Sequence, residues 1–119
     1  MDIHVAQPWF GLIKKRLKTV EGRLNKDKFA EIKVGSLLTI SHPPKEAVRH
    51  SINNKKVVAM VTHVTKYDTF QSYLEQEGLS NTLPGVDSIA KGVAVYRELY
   101  SRELELQHGV LAIRMTLLN

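Results

Sequence analysis

The sequence predicts an α+β fold, a small mixed β-barrel with flanking helices. Three observations lead there. Leu37–Ser41, Val57–Val64 and Val110–Leu118 are apolar, β-prone runs of strand length. Two helical groups fall together between the second and third of these runs, without the regular strand–helix alternation of a parallel sheet. Shorter candidate strands, Ile3–Val5 and Lys18–Arg23, flank one amphipathic helix near the start.

The 119 residues fit one domain spanning 1–119, enough for a single core. With 43% hydrophobic and 24% charged residues, the composition is that of a folded protein. No apolar run approaches the roughly 20 residues that span a bilayer, so no membrane partner is expected. The start, Met1-Asp2-Ile3-His4-Val5, resembles no secretory signal. Cysteine is absent, which excludes disulfides and thiol chemistry and fits an intracellular setting, cytoplasmic or nuclear.

Each element has a local cause. Pro8 suits a first helical turn, and Trp9, Leu12, Ile13 and Leu17 form an apolar stripe that predicts a helix ending near Leu17. Asn25–Phe29 reads as a polar turn, and Gly35 as the turn before the next strand. His42-Pro43-Pro44 ends that strand, and Asn53-Asn54-Lys55-Lys56 has the character of a hairpin tip. Asp68 with Gln71 resembles a capping box; Phe70 and Leu74 share a helix face, and Gly78 ends the helix. After a Leu83-Pro84-Gly85 turn, Asp87 or Ser88 caps a second helix whose stripe is Ile89, Val93, Tyr96 and Tyr100. A last helical turn from Arg102 ends at Gly109.

Lys18-Thr19-Val20-Glu21-Gly22-Arg23 is the most informative stretch. Alternation puts Thr19, Glu21 and Arg23 on one strand face and Val20 and Leu24 on the other. A carboxylate between two bases can hold a polar ligand by charge-assisted hydrogen bonds, or be a solvated edge. Charge is also unevenly distributed: residues 1–66 carry 13 Lys/Arg against 5 Asp/Glu, and residues 67–119 carry 4 against 7. A basic half suggests a surface facing a polyanion, with nucleic acid the leading candidate.

Three segments together resemble the ASCH family, a branch of the PUA-like superfamily. Lys18-x-x-Glu21-x-Arg23 is similar to the family's Gly-x-Lys-x-x-Glu-x-Arg signature, with Arg16 in place of the glycine. Lys66-Tyr67-Asp68-Thr69-Phe70, leading to Leu74–Gly78, resembles the family's strand-to-helix junction. Tyr96–Ser101, running to His108–Arg114, resembles its Tyr-rich helix and terminal strand. The resemblance implies a five- to six-stranded PUA-like barrel and a cleft for RNA or a modified nucleoside, lined by Lys18, Glu21 and Arg23. Thr19, Trp9 and Tyr67 are the neighbouring candidates, and Lys14, Lys15, Lys26 and Lys28 the flanking bases.

Some bacterial ASCH proteins deacetylate 4-acetylcytidine with a Lys, a Thr and a Glu. Carried over, the lysine matches Lys18, the glutamate best matches Glu77 (or Glu75), and the threonine position falls on Glu21, with Thr19 two residues away. The expected function is therefore binding, with Lys18, Glu21 and Glu77 as the catalytic set if the protein is a hydrolase. A ribonuclease and a regulatory protein-interaction module are further alternatives. His4, His42, His50, His63 and His108 have no metal-ligand spacing, and phosphate-loop and dinucleotide motifs are absent; no metal or cofactor is expected. Tyr96 and Tyr100 read as core, and His63 as a half-buried strand residue.

Overall fold

The computed structural model describes residues 1–42 and 55–118. Strands β1 (Asp2–His4), β2 (Val20–Leu24), β3 (Leu37–His42), β4 (Lys55–Tyr67) and β5 (Val110–Leu117) form one sheet in the order β1-β3-β4-β5-β2. β1 runs parallel to β3, with Ile3 opposite Ile40; the other pairs are antiparallel. The sheet curls into a half-barrel whose edges are β1 and β2. Helices α1 (Trp9–Lys14), α2 (Phe70–Glu77), α3 (Leu79–Thr82), α4 (Ile89–Arg97) and α5 (Arg102–His108) flank it, and a 3₁₀ turn covers Asp27–Glu31.

β4 is long because its first half pairs with β3 and its second with β5, and the register shifts between Val61 and His63. β5 is buried on both faces from Val110 to Ile113, which accounts for the apolar run there, while Arg114 and Thr116 face outward. Leu111, Ile113 and Met115 join Ile3, Phe10, Leu38, Ile40 and Ala59 in the core on one face. Val110 and Ala112 join Val20, Leu24, Phe70, Tyr73, Leu74 and Tyr96 beneath the helices on the other. Trp9 packs against both cores.

Several boundaries differ from expectation. α1 stops at Lys14 because Arg16 adopts a left-handed φ of 65°; Phe10 and Ile13 are its buried residues, while Leu17 is exposed. Thr69, not Asp68, caps α2, accepting from Ser72 N at 3.1 Å. The buried Glu105 carboxylate also accepts from Phe70 N at 2.7 Å and pairs with Arg97 at 2.9 Å. Ser88 caps α4 through Lys91 N, and Tyr100 lies beyond the end of that helix. His63 is exposed. The expected Pro43-Pro44 stop and the Asn53-Asn54 tip lie outside the described residues, as does His50. Among the described residues no helix is long and apolar enough to cross a membrane.

Candidate functional site

Edge strand β2 arranges its side chains by strand alternation. Val20 and Leu24 turn into the core under the helices, while Glu21 and Arg23 line a cavity of about 230 Å³ at the seam between β2 and β1. Trp9 from α1, Tyr96 from α4, and Tyr100 supply aromatic lining; Leu83, Val95 and Leu99 supply aliphatic lining.

Lys18, one turn of chain before Glu21, is buried at 2% exposure. Its Nζ donates to Val20 O at 2.6 Å and to Thr82 O at 2.5 Å, and lies 3.3 Å from Glu21 Oε1. An ammonium has three donors, so every one has a protein partner. The contact to Thr82, the last residue of α3, fastens that helix to β2. Arg23 Nε donates to Glu21 Oε2 at 2.7 Å, and its Nη2 to the His4 carbonyl at 2.6 Å. The guanidinium thus bridges the two edges of the half-barrel, and it also lies 4.8 Å from the centre of the Phe29 ring. Burial opposes the charged form of all three groups. It lowers the Lys18 pKa despite Glu21. For Glu21 the adjacent Lys18 and Arg23 outweigh burial and hold the carboxyl below its ordinary value. Glu21 likewise raises Arg23.

Gly22 is demanded by packing. A β-carbon there would lie 2.5 Å from Tyr73 Cζ and 2.6 Å from its hydroxyl. The Tyr73 hydroxyl meets that of Tyr96 at 3.1 Å, so the glycine seats an aromatic pair against the motif strand.

The other expected residues are dispersed. Thr19 precedes β2 and lines a second recess with Lys18, Ile13, Arg16 and Met115, so Lys18 stands between the two hollows. Tyr67 and Glu77 do not line the cavity: buried Glu77 accepts from the Tyr67 hydroxyl and from Arg114 Nε at 2.7 Å. Burial, then Glu77, pushes the Tyr67 phenol up to about 12. Glu75 is exposed and accepts from Gln71. Lys14 and Lys15 are exposed on α1; Lys26 lies 3.7 Å from Asp27, and Lys28 donates to Asp2 O at 2.5 Å. Among the described residues no group of three or more His, Asp or Glu side chains could hold a metal.

Lys18 and Thr19 therefore share a recess, but Glu77 is not gathered with them. Tyr96 lies in the core and Tyr100 packs against it, as helical spacing assigned them, and both also border the cavity, while Gly22 seats its motif strand. A glycine interrupting a strand is the legible signal for such a close approach.

The sequence profile of the ASCH domain matches residues 3–119. The chain belongs to the ASCH domain family. Its fold is similar to that of the hypothetical protein PH0355, seen in a crystal structure, with a TM-score of 0.83 and 32% identity over 98% of this chain and 97% of that one. Protein PF0455 from Pyrococcus furiosus, solved by NMR, is also similar, with a TM-score of 0.72 and 36% identity over 100% of this ASCH domain and 99% of that chain. No curated protein matches.

Proposed function

We propose that this ASCH domain binds RNA or a modified nucleoside, receiving a base in the Glu21–Arg23 cavity. The observation that carries the reading is a charged, hydrogen-bonded edge of Glu21 and Arg23 beside Trp9, Tyr96 and Tyr100 in one small recess. A base needs an aromatic or apolar surface for its face and polar groups for its edge. The volume lies below the roughly 300–1,000 Å³ of drug-sized sites, which suits one base better than a folded polymer. Exposed cations supply the attraction for phosphates: Lys28 lies 5.5 Å from the same Phe29 ring that Arg23 contacts, and Lys14 and Lys15 sit on the helix that begins with Trp9.

Binding is favoured over hydrolysis because Lys18 has all three donors engaged, and because Glu77 lines neither the cavity nor the recess that Thr19 shares with Lys18 and is held by Tyr67 and Arg114. Titration of a fluorescent single-stranded RNA at rising salt tests the reading. Affinity is expected to fall with a log–log slope of about −0.7 for each phosphate contacted. No binding of RNA or of any nucleoside at low salt would overturn it.

A further inference from the structure

We propose that the cavity selects a guanine-type edge, two adjacent N–H donors beside a carbonyl, and excludes phosphate; this rests on the base-binding reading above. Although two cations stand in the motif, most of their donors are already engaged. Lys18 is engaged by Val20 O, Thr82 O and Glu21. Arg23 uses Nε on Glu21 and Nη2 on His4 O. Among the described residues none accepts from Arg23 Nη1. Each Glu21 oxygen has one protein partner, and a carboxylate can accept about four hydrogen bonds. What remains at the cavity wall is a carboxylate with two further acceptor positions.

An anion entering here lies against the Glu21 carboxylate and finds the Lys18 donors and the Nε and Nη2 donors of Arg23 already taken by protein acceptors. A heterocycle with two neighbouring N–H groups satisfies both carboxylate oxygens, and its adjacent carbonyl lies beyond the carboxylate rather than against it. Guanine presents that order along one edge. Cytosine and adenine offer one exocyclic amine beside an acceptor, and uracil flanks its single N–H with two carbonyls, one of which would face the carboxylate. The ranking is therefore guanine first and uracil last, with phosphates left to the exposed lysines outside.

The unaltered protein tests this, with Trp9 fluorescence and calorimetry as readouts. Guanosine is expected to bind most tightly. Inosine, which lacks the 2-amino donor, is expected to bind about tenfold more weakly, the cost of one unmatched buried acceptor. Guanosine affinity should change little between low and high salt, and neither inorganic phosphate nor ribose 5-phosphate should displace it. Inosine equal to guanosine, uridine tighter than guanosine, or displacement by phosphate would each overturn the guanine-edge assignment. RNA binding without any binding of free guanosine would overturn it as well and leave the RNA-binding reading standing. Silence toward both RNA and nucleosides would remove the two together.

Discussion

A β-carbon on Gly22 would lie 2.5 Å from Tyr73 Cζ, so the motif strand and α2 can approach only while residue 22 has no side chain. The hypothesis that this contact sets the cavity's shape has a direct consequence. Gly22→Ala should destabilise by about 1–3 kcal/mol, as overpacking does, and weaken ligand binding through displaced Glu21 and Arg23. Adding Tyr73→Leu, which removes the ring, should recover part of the binding. Urea unfolding and RNA titration check this; a Gly22→Ala protein as stable as the parent would refute it.

Lys18 acts as a positioning residue, held by two carbonyls and Glu21. Lys18→Ala strands those acceptors and leaves Glu21 with Arg23 alone. Breaking a buried pair on one side costs about 3–5 kcal/mol, so the urea midpoint should drop sharply. A variant with normal stability and lost binding would instead mean that Lys18 meets the ligand directly.

Acid should loosen the site through Glu21. Its folded pKa lies below the ordinary value. The corresponding stability is present above the unfolded carboxyl pKa of about 4.3 and is lost as pH falls through the folded value. Between pH 7 and 3, the Glu21→Gln variant should lose less stability than the parent. Parallel stability–pH curves would count against the assignment.

Glu77 belongs to a separate cluster, so Glu77→Gln should leave guanosine and RNA binding unchanged while costing about 1.5–3 kcal/mol for the charge-assisted bonds. Tyr67, raised to about 12, contributes stability that is complete below its unfolded pKa of about 10 and lost as pH climbs toward the folded value. Absorbance at alkaline pH should show the Tyr67 transition moving down in the variant. Lost binding in Glu77→Gln would reinstate Glu77 in the site.

Arg16 occupies a left-handed conformation at φ 65°, which costs a side-chain-bearing residue about 1–2 kcal/mol. Glycine removes that strain but adds about 0.5–1 kcal/mol of chain entropy to overcome. The net backbone gain of about 0–1.5 kcal/mol is offset by the Arg16 side-chain interaction that glycine removes, so Arg16→Gly should change stability by less than about 1 kcal/mol. A clear loss on thermal unfolding would show that Arg16 side-chain contacts outweigh the strain.

Local chemistry made the long strands, the Gly78 and Gly109 helix ends, and the Glu21/Arg23 face legible, because each depends on neighbours in the chain. The site's other half was not. Whether Tyr67 or Tyr100 reaches the cavity depends on where the end of β4 and the turn after α4 settle relative to β2, and helical spacing cannot tell that a core tyrosine is also a wall tyrosine. Thr19 and Glu77 failed to join Glu21 for a similar reason. One lies before the strand's alternation begins, and the other faces β5, where Arg114 interrupts the apolar run to receive it.

The Arg23 bridge to His4 O joins two strands that are far apart in the sheet order but meet where the half-barrel curls. One guanidinium serves both the seam and the recess. The hold on β1 and the placement of the Glu21 carboxylate therefore both depend on one guanidinium. A substitution at residue 23 cannot alter recognition without also altering how firmly the first strand of the protein is held to the second.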